Sequence, residues 1–180
     1  MQRAPRHTIS ISALALFLFA ACRPTMSEVR RATAPLVNAG GQEVGTLTLR
    51  DAPGQAVTIE GELSGLPAGT HGIHFHAVGQ CDAAGQFASA GAHFNPAARK
   101  HGLESADGPH AGDLPNLVAG ADGRATVRMT TPRVTLGREA ASLLDADGSA
   151  LVVHAAADDQ RTDPSGNSGA RIACGVIAAR

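Results

Sequence analysis

From about Val29 to the C-terminus, apolar positions recur at every second residue over short spans, and turn-forming pairs separate the spans. Leu36-Val37, the turn Asn38-Ala39-Gly40-Gly41 and Val44 to Arg50 read as strand, turn, strand. Pro53-Gly54 leads into Ala56 to Leu63, where Val57 and Ile59 alternate with Thr58 and Glu60. Leu66-Pro67-Ala68-Gly69 leads into Thr70 to Ala77. Asp122-Gly123 introduces Arg124 to Thr130, Asp147-Gly148 introduces Ala150 to Ala155, and Arg171 to Ala178 closes the chain. Alternate side chains of a strand face opposite sides of its sheet, so this pattern predicts an all-β, antiparallel sandwich or barrel. No segment carries the 3.6-residue period of a helix.

Two stretches break the alternation. Val78 to Ala121 is rich in Gly, Ala, Pro, Asn and Asp, and Ala156 to Ala170 is similar but shorter. A structureless loop of the first length counts against a compact domain unless something ties it down. It contains Cys81, His93, His101, His110 and Asp113, so a metal and a disulfide can supply order that apolar side chains cannot.

The N-terminus reads as a targeting segment. Arg3 and Arg6 precede an apolar run from Ile9 to Ala21 that is too short to span a bilayer. It ends in Phe19-Ala20-Ala21-Cys22, which resembles the lipobox of bacterial lipoproteins, with Cys22 as the lipidated first residue of the mature protein. The expected division is a signal peptide over 1–21, an N-terminal tether over 22–35 and one domain over 36–180. The destination is the periplasm or cell envelope, with a membrane reached only through the lipid on Cys22. Of the chain's three cysteines, the lipobox claims Cys22, which leaves Cys81 and Cys174 as the economical disulfide in an oxidising compartment. Three unpaired thiols would suit a cytosolic protein and conflict with the signal.

Composition narrows the partners. A formal charge of −1 and an aromatic content of 3%, with no Trp or Tyr, offer neither a basic patch nor stacking platforms for nucleic acid. The ligand is something small. Eight histidines are present, and seven of them fall between His71 and His154. Histidine is the commonest metal ligand, and such clustering asks for more than one ion.

In His74-Phe75-His76 a strand's period places both imidazoles on one face and Phe75 on the other. His154 follows the apolar strand Leu151-Val152-Val153. Either feature alone fits a structural histidine, and they form a site only if the barrel brings them together. His93, His101, His110 and Asp113 offer three imidazoles and a carboxylate, a set suited to a tetrahedral, structural Zn²⁺.

Six motifs in chain order are similar to those of copper/zinc superoxide dismutases. They are Gly72-Ile73-His74-Phe75-His76, Ser89 to Pro96 (SAGAHFNP), Arg99-Lys100-His101-Gly102, His110-Ala111-Gly112-Asp113-Leu114, Leu151-Val152-Val153-His154 and Ala170 to Ile177 (ARIACGVI). The resemblance runs from about Leu36 to the C-terminus. It implies an immunoglobulin-like Greek-key sandwich or barrel with two long functional loops. It also implies an enzyme that disproportionates superoxide, with one copper and one zinc per subunit. His74, His76, His93 and His154 would bind copper, while His93, as a bridging imidazolate, would join His101, His110 and Asp113 on zinc. Asp158 would hydrogen-bond a ligand of each metal, and His71 would be a framework histidine. His93 and Arg171 would be catalytic, Arg171 beside the open copper face, and Cys81–Cys174 the bridge within the subunit.

Cys81 lies farther ahead of His93 than in animal enzymes and resembles the bacterial arrangement. The segment between His154 and Arg171 is shorter, so Asp159, Arg161 and Asp163 are the available candidates for guiding superoxide. The sparse aromatics leave monomer and homodimer open. Two rivals share these features: a non-catalytic periplasmic copper/zinc binding or delivery protein, and a zinc hydrolase built on His74, His76 and His154. The first would need no arginine beside an open copper position. The second lacks an identifiable general base.

Overall fold

Among the described residues the alternation becomes ten strands: β1 Arg30–Asn38, β2 Glu43–Asp51, β3 Val57–Leu63, β4 Gly69–His71, β5 Ile73–His76, β6 Leu117–Ala119, β7 Ala125–Thr131, β8 Ala150–His154, β9 Arg171–Val176 and β10 Ala178–Ala179. The computed structural model describes residues 28–180 apart from Pro53. The expected signal peptide, Cys22 and the start of the tether lie outside the described residues. All strand pairs are antiparallel, in the order β5-β8-β9-β1-β2-β3-β7, with β10 beside β1 and a small sheet of β4 and β6. Consecutive strands β7 and β8 lie far apart in this order, so the intervening chain crosses over, as a Greek key requires.

Along β1 the inward positions are Ala32, Ala34 and Leu36, along β2 Val44, Leu47 and Leu49, and along β3 Val57, Ile59 and Leu63. They meet Phe75, Leu114, Val127, Leu151 and Val153 in one apolar core. Two edges of the predicted pattern need correction. The first strand begins at Arg30, ahead of the Leu36-Val37 start that the alternation suggests. Its inward side chains there are alanines, which bury fully while giving little hydrophobic signal. Leu117–Ala119, placed inside the long loop by its composition, pairs with β4 as β6, Leu117 opposite His71.

A second, smaller cluster sits on the outer face of β8 and β9, where Phe87 and Ala90 cover Ala150, Val152 and Cys174. This shelf is the first part of the long loop, and one turn of 3-10 helix, Ala88–Ala90, lies within it. Cys81 and Cys174 form a disulfide with Cα atoms 5.7 Å apart. The bridge spans 93 positions and clips the loop to β9, as the cysteine arithmetic predicted. Replacing both cysteines with serine is expected to cost about 4–5 kcal/mol on the chain-entropy account of so long a closed loop. The check is the denaturant midpoint of the double variant against the oxidised wild-type protein.

Candidate metal centre

Strand β5 pairs with β8 on one edge, and loop backbone covers the other. Phe75 N–H donates to Gly112 O at 2.9 Å, Phe94 N–H to Phe75 O at 2.8 Å, and Gly112 N–H to Phe94 O at 2.8 Å. A side chain at Gly112 would run into the Phe75 carbonyl, so only glycine lets the two loop passes lie this close. This three-way tie holds His93 and Asp113 beside His76 and His74. Phe75 points into the core, and the two histidines of β5 point out of it beneath the loops.

His74, His76, His93 and His154 each bring a ring nitrogen within 4.8 Å of the others' nitrogens. Carbonyl and carboxylate acceptors decide which nitrogen remains available. His76 Nδ1 donates to Gly91 O at 3.0 Å and His154 Nδ1 to Gly169 O at 3.2 Å, so both rings present Nε2, and these atoms stand 3.4 Å apart. His74 reverses the pattern. Its Nε2 donates to Asp158 Oδ2 at 2.6 Å, and its Nδ1 is buried without a partner, as is His93 Nε2. A buried lone pair with nothing to accept is costly, and a soft or borderline cation is what imidazole nitrogen suits.

His93, His101, His110 and Asp113 form the second set. Asp113 Oδ1 lies 3.0 Å from His93 Nδ1, 3.1 Å from His101 Nδ1 and 3.3 Å from His110 Nδ1. His101 Nδ1 makes no well-aligned hydrogen bond despite that proximity. Oδ2 accepts from the backbone N–H groups of Gly102 at 2.8 Å and His110 at 2.9 Å, which turns Oδ1 toward the rings. Gly102 has φ +103, and a side chain there would strike the Gln160 carbonyl. His93 therefore faces both sets, Nδ1 toward one and Nε2 toward the other.

Asp158 joins them from behind. Oδ2 accepts from His74 and Oδ1 accepts from His101 Nε2 at 3.0 Å and from Gln160 N–H at 2.6 Å. These hydrogen bonds account for the proximity of His74, His101 and Asp158, so no third ion is needed. Asn116 grips the Asp158 main chain at both ends, donating to its O at 2.8 Å and accepting from its N–H at 2.9 Å. His71 is buried with one ring nitrogen 2.8 Å from His154 O and the other 2.8 Å from Pro67 O, so it braces His154 from its backbone and stands outside both donor sets. Nothing in the sequence pointed to Asn116 or Gln160, because one acts on the Asp158 main chain and the other through its own main-chain N–H, and neither belongs to a ligand pattern.

Burial pushes His74 down to about 4 and His154 to about 3, and holds His76 well below the ordinary imidazole value. These rings are neutral at pH 7, the state a ligand needs. Burial also disfavours a charge on His101, yet the Asp113 carboxylate beside it and the hydrogen bond to Asp158 outweigh it and raise this ring to about 9. Desolvation likewise opposes ionisation of Asp113 and Asp158, but the adjacent His101 ring with N–H donors from His93 and Gly102 at the first, and N–H donors from His101, His74 and Gln160 at the second, hold both well below the usual carboxylate range.

A cavity of about 300 Å³ opens over His76, His93 and His154, and Arg171 forms part of its wall with Pro164 and Ser165. Arg171 donates Nη1 to Phe87 O and Nη2 to Gly91 O, both at 2.6 Å, so the shelf fixes its guanidinium. The other charges proposed for steering are engaged elsewhere. Asp159 caps the turn to Thr162, Arg161 pairs with Glu104 at 2.7 Å, and Asp163 accepts from His101 N–H at 2.8 Å and from Lys100 at 3.1 Å.

A sequence profile described as copper/zinc superoxide dismutase (SODC) matches residues 43–177. The chain belongs to that family. It is 48% identical over 151 residues to a superoxide dismutase [Cu-Zn] of Caulobacter vibrioides, covering 81% of this chain and 84% of the relative. The superoxide dismutase [Cu-Zn] 2 of Aquifex aeolicus is 41% identical over 155 residues, covering 85% of this chain and 90% of the relative. A crystal structure of a SOD-like protein from Bacillus subtilis aligns with a TM-score of 0.77 at 41% identity, covering 81% of this chain and 97% of that one. Copper and zinc are the family's metals, and the orphaned nitrogens His74 Nδ1, His93 Nε2 and His101 Nδ1 fit cations of that kind.

The shifts predict the pH response of the metal-free protein. His74 and His154 titrate lower folded than unfolded, so their contribution is complete above about 6.5 and lost as pH falls through about 4 for His74 and about 3 for His154. For His74 alone the loss is of order 3 kcal/mol. His101 has the opposite sign: its contribution is present below about 6.5 and lost as pH rises through about 9. Thermal melts of metal-free protein are expected to show a stability maximum near neutrality and a decline on both sides.

Proposed function

We propose that this chain disproportionates superoxide, two anions and two protons giving one O₂ and one H₂O₂, at a copper held by His74, His76, His93 and His154. His93, His101, His110 and Asp113 hold zinc in this reading. The observation that carries it is the double orientation of His93, whose Nδ1 lies 3.0 Å from Asp113 Oδ1 while its Nε2 is buried without a partner beside the other histidines. When bound, copper supplies reversible one-electron chemistry toward superoxide, and zinc, which has no redox chemistry, supplies a fixed positive charge.

The protein's own groups do the rest. Arg171 carries a charge that does not titrate near neutrality, and its fixed guanidinium attracts a small anion into the cavity beside His76 and His154. His93 Nε2 takes up a proton in the half-reaction that releases O₂ and gives it up in the half-reaction that forms H₂O₂. The ring keeps its orientation through this exchange because Nδ1 stays among the second set. Asp158 and the carbonyls of Gly91 and Gly169 fix the tautomers of His74, His76 and His154.

A non-catalytic reading draws on a 42% identical relative named superoxide dismutase-like protein YojM, from Bacillus subtilis. The complete donor sets and the arginine at the cavity favour the enzyme. Superoxide consumption with H₂O₂ release, measured on protein of known copper and zinc content, separates the two; fully metallated protein without dismutation would refute the enzyme. Arg171→Glu is expected to slow turnover about tenfold or more and to flatten its dependence on ionic strength, since long-range charge steers an anion. Stopped-flow decay of superoxide across a salt series is the check.

We further propose export to the periplasm or cell envelope, with Cys22 carrying the lipid. The short apolar run after Arg3 and Arg6 supports it, and so does a disulfide that suits an oxidising compartment. Cys22→Ser is expected to move the protein from the membrane fraction to the soluble periplasmic fraction. Continued sedimentation with membranes would rule out lipidation there.

A further inference from the structure

Arg133 follows β7 in the connection that crosses back toward β8, and no ligand pattern includes it. Its side chain reaches the underside of the second donor set, where Nη2 donates to the main-chain carbonyl of Asp113 at 2.6 Å. Nε is buried with no hydrogen-bond partner, and among the described residues no carboxylate forms an ion pair with the guanidinium. A half-buried guanidinium without a counterion carries a desolvation cost, so the contact it makes is informative. The one polar group that its side chain grips is the main-chain carbonyl of Asp113, the residue that brings the carboxylate to the set.

We infer that Arg133 is a positioning residue for the zinc half of the centre, fixing Asp113 from the backbone side. The inference rests on the zinc assignment of His93, His101, His110 and Asp113. Gly102 and His110 hold Asp113 Oδ2 by their N–H groups, and Arg133 holds its carbonyl. With both ends of the residue pinned, Oδ1 has one direction left, toward the three Nδ1 atoms at 3.0 to 3.3 Å. A charge-assisted bond to a carbonyl is roughly twice as strong as a neutral one, which suits a guanidinium to the task. The neighbouring Gly112 has no side chain with which to brace the turn, and its own N–H and C=O are committed to Phe94 and Phe75. Arg133 thus adds, from the side opposite the rings, a hold on Asp113 that the Gly112 tie and the two amides do not provide.

The test is a titration of metal-free wild-type, Arg133→Met and Arg133→Lys proteins with Co²⁺, which reports a tetrahedral site by its visible absorption, followed by Zn²⁺ competition and a separate copper titration. Met keeps much of the stem and removes the charge and the donors. The expected result is a 10- to 100-fold weaker zinc affinity in the Met protein, the range for loss of a group that orients a ligand. Its Co²⁺ spectrum should be altered, its copper affinity held within about twofold, and the Lys protein should recover part of the zinc loss. Unchanged zinc affinity and Co²⁺ spectrum in the Met protein would overturn the inference. An equal loss for both metals would also overturn it, because that is the mark of general destabilisation. Should the Met protein not fold, the Lys protein decides by the same criteria, with a smaller zinc loss expected. Wild-type protein that gives no tetrahedral Co²⁺ spectrum would instead refute the zinc assignment itself.

Discussion

Two carboxylates buried to the point of near-complete exclusion from water, Asp113 and Asp158, set the terms for everything around them. Ionised groups in such a place are tolerated only when donors surround them. The donors come from distant parts of the chain: backbone N–H of Gly102, His110 and Gln160, and ring N–H of His74 and His101. Satisfying the charges therefore draws the two long loops together over β5. It also turns each imidazole so that its other nitrogen faces inward. The folding requirement and the ligand geometry are one requirement.

The barrel contributes rigidity where the loops have none. His74, His76 and His154 sit on paired strands whose register aligns Ile73 with Val153 and Phe75 with Leu151. His93, His101 and His110 sit on irregular backbone, and that backbone is organised by the tie among Phe75, Phe94 and Gly112, by the disulfide, and by the shelf under Phe87. One half of the centre is thus preformed by the sheet. The other depends on cross-links and on the ion that it would hold, as expected of a metal site built on loops.

Much of this was legible in the sequence because strong chemistry leaves strong spacing. The His-x-His of a strand, the run of histidines ending in Asp113 and the pair Cys81 and Cys174 are visible without a structure. Alternation gave most strands, but it failed where inward residues are small, as at Ala32 and Ala34, and where a strand is only three residues long, as at Leu117–Ala119. The residues that hold ligands through backbone atoms left no trace. Asn116, Gln160 and Arg133 could be joined to the centre only once their side chains were seen against the carbonyls and amides of Asp158, Leu114 and Asp113. Nor could the sequence tell that Asp159, Arg161 and Asp163 spend their charges on local turns and pairs.

The carbonyl of Gly91 receives two hydrogen bonds, from His76 at 3.0 Å and from Arg171 at 2.6 Å. One oxygen therefore sets the positions of a donor nitrogen and of the cation at the cavity wall. Both side chains rise from paired strands, so this shared oxygen ties the loop to two fixed points at once. The disulfide at Cys81 and the buried Phe87 ring hold the stretch that leads to this carbonyl, so the cross-link that anchors the loop also anchors the wall of the cavity.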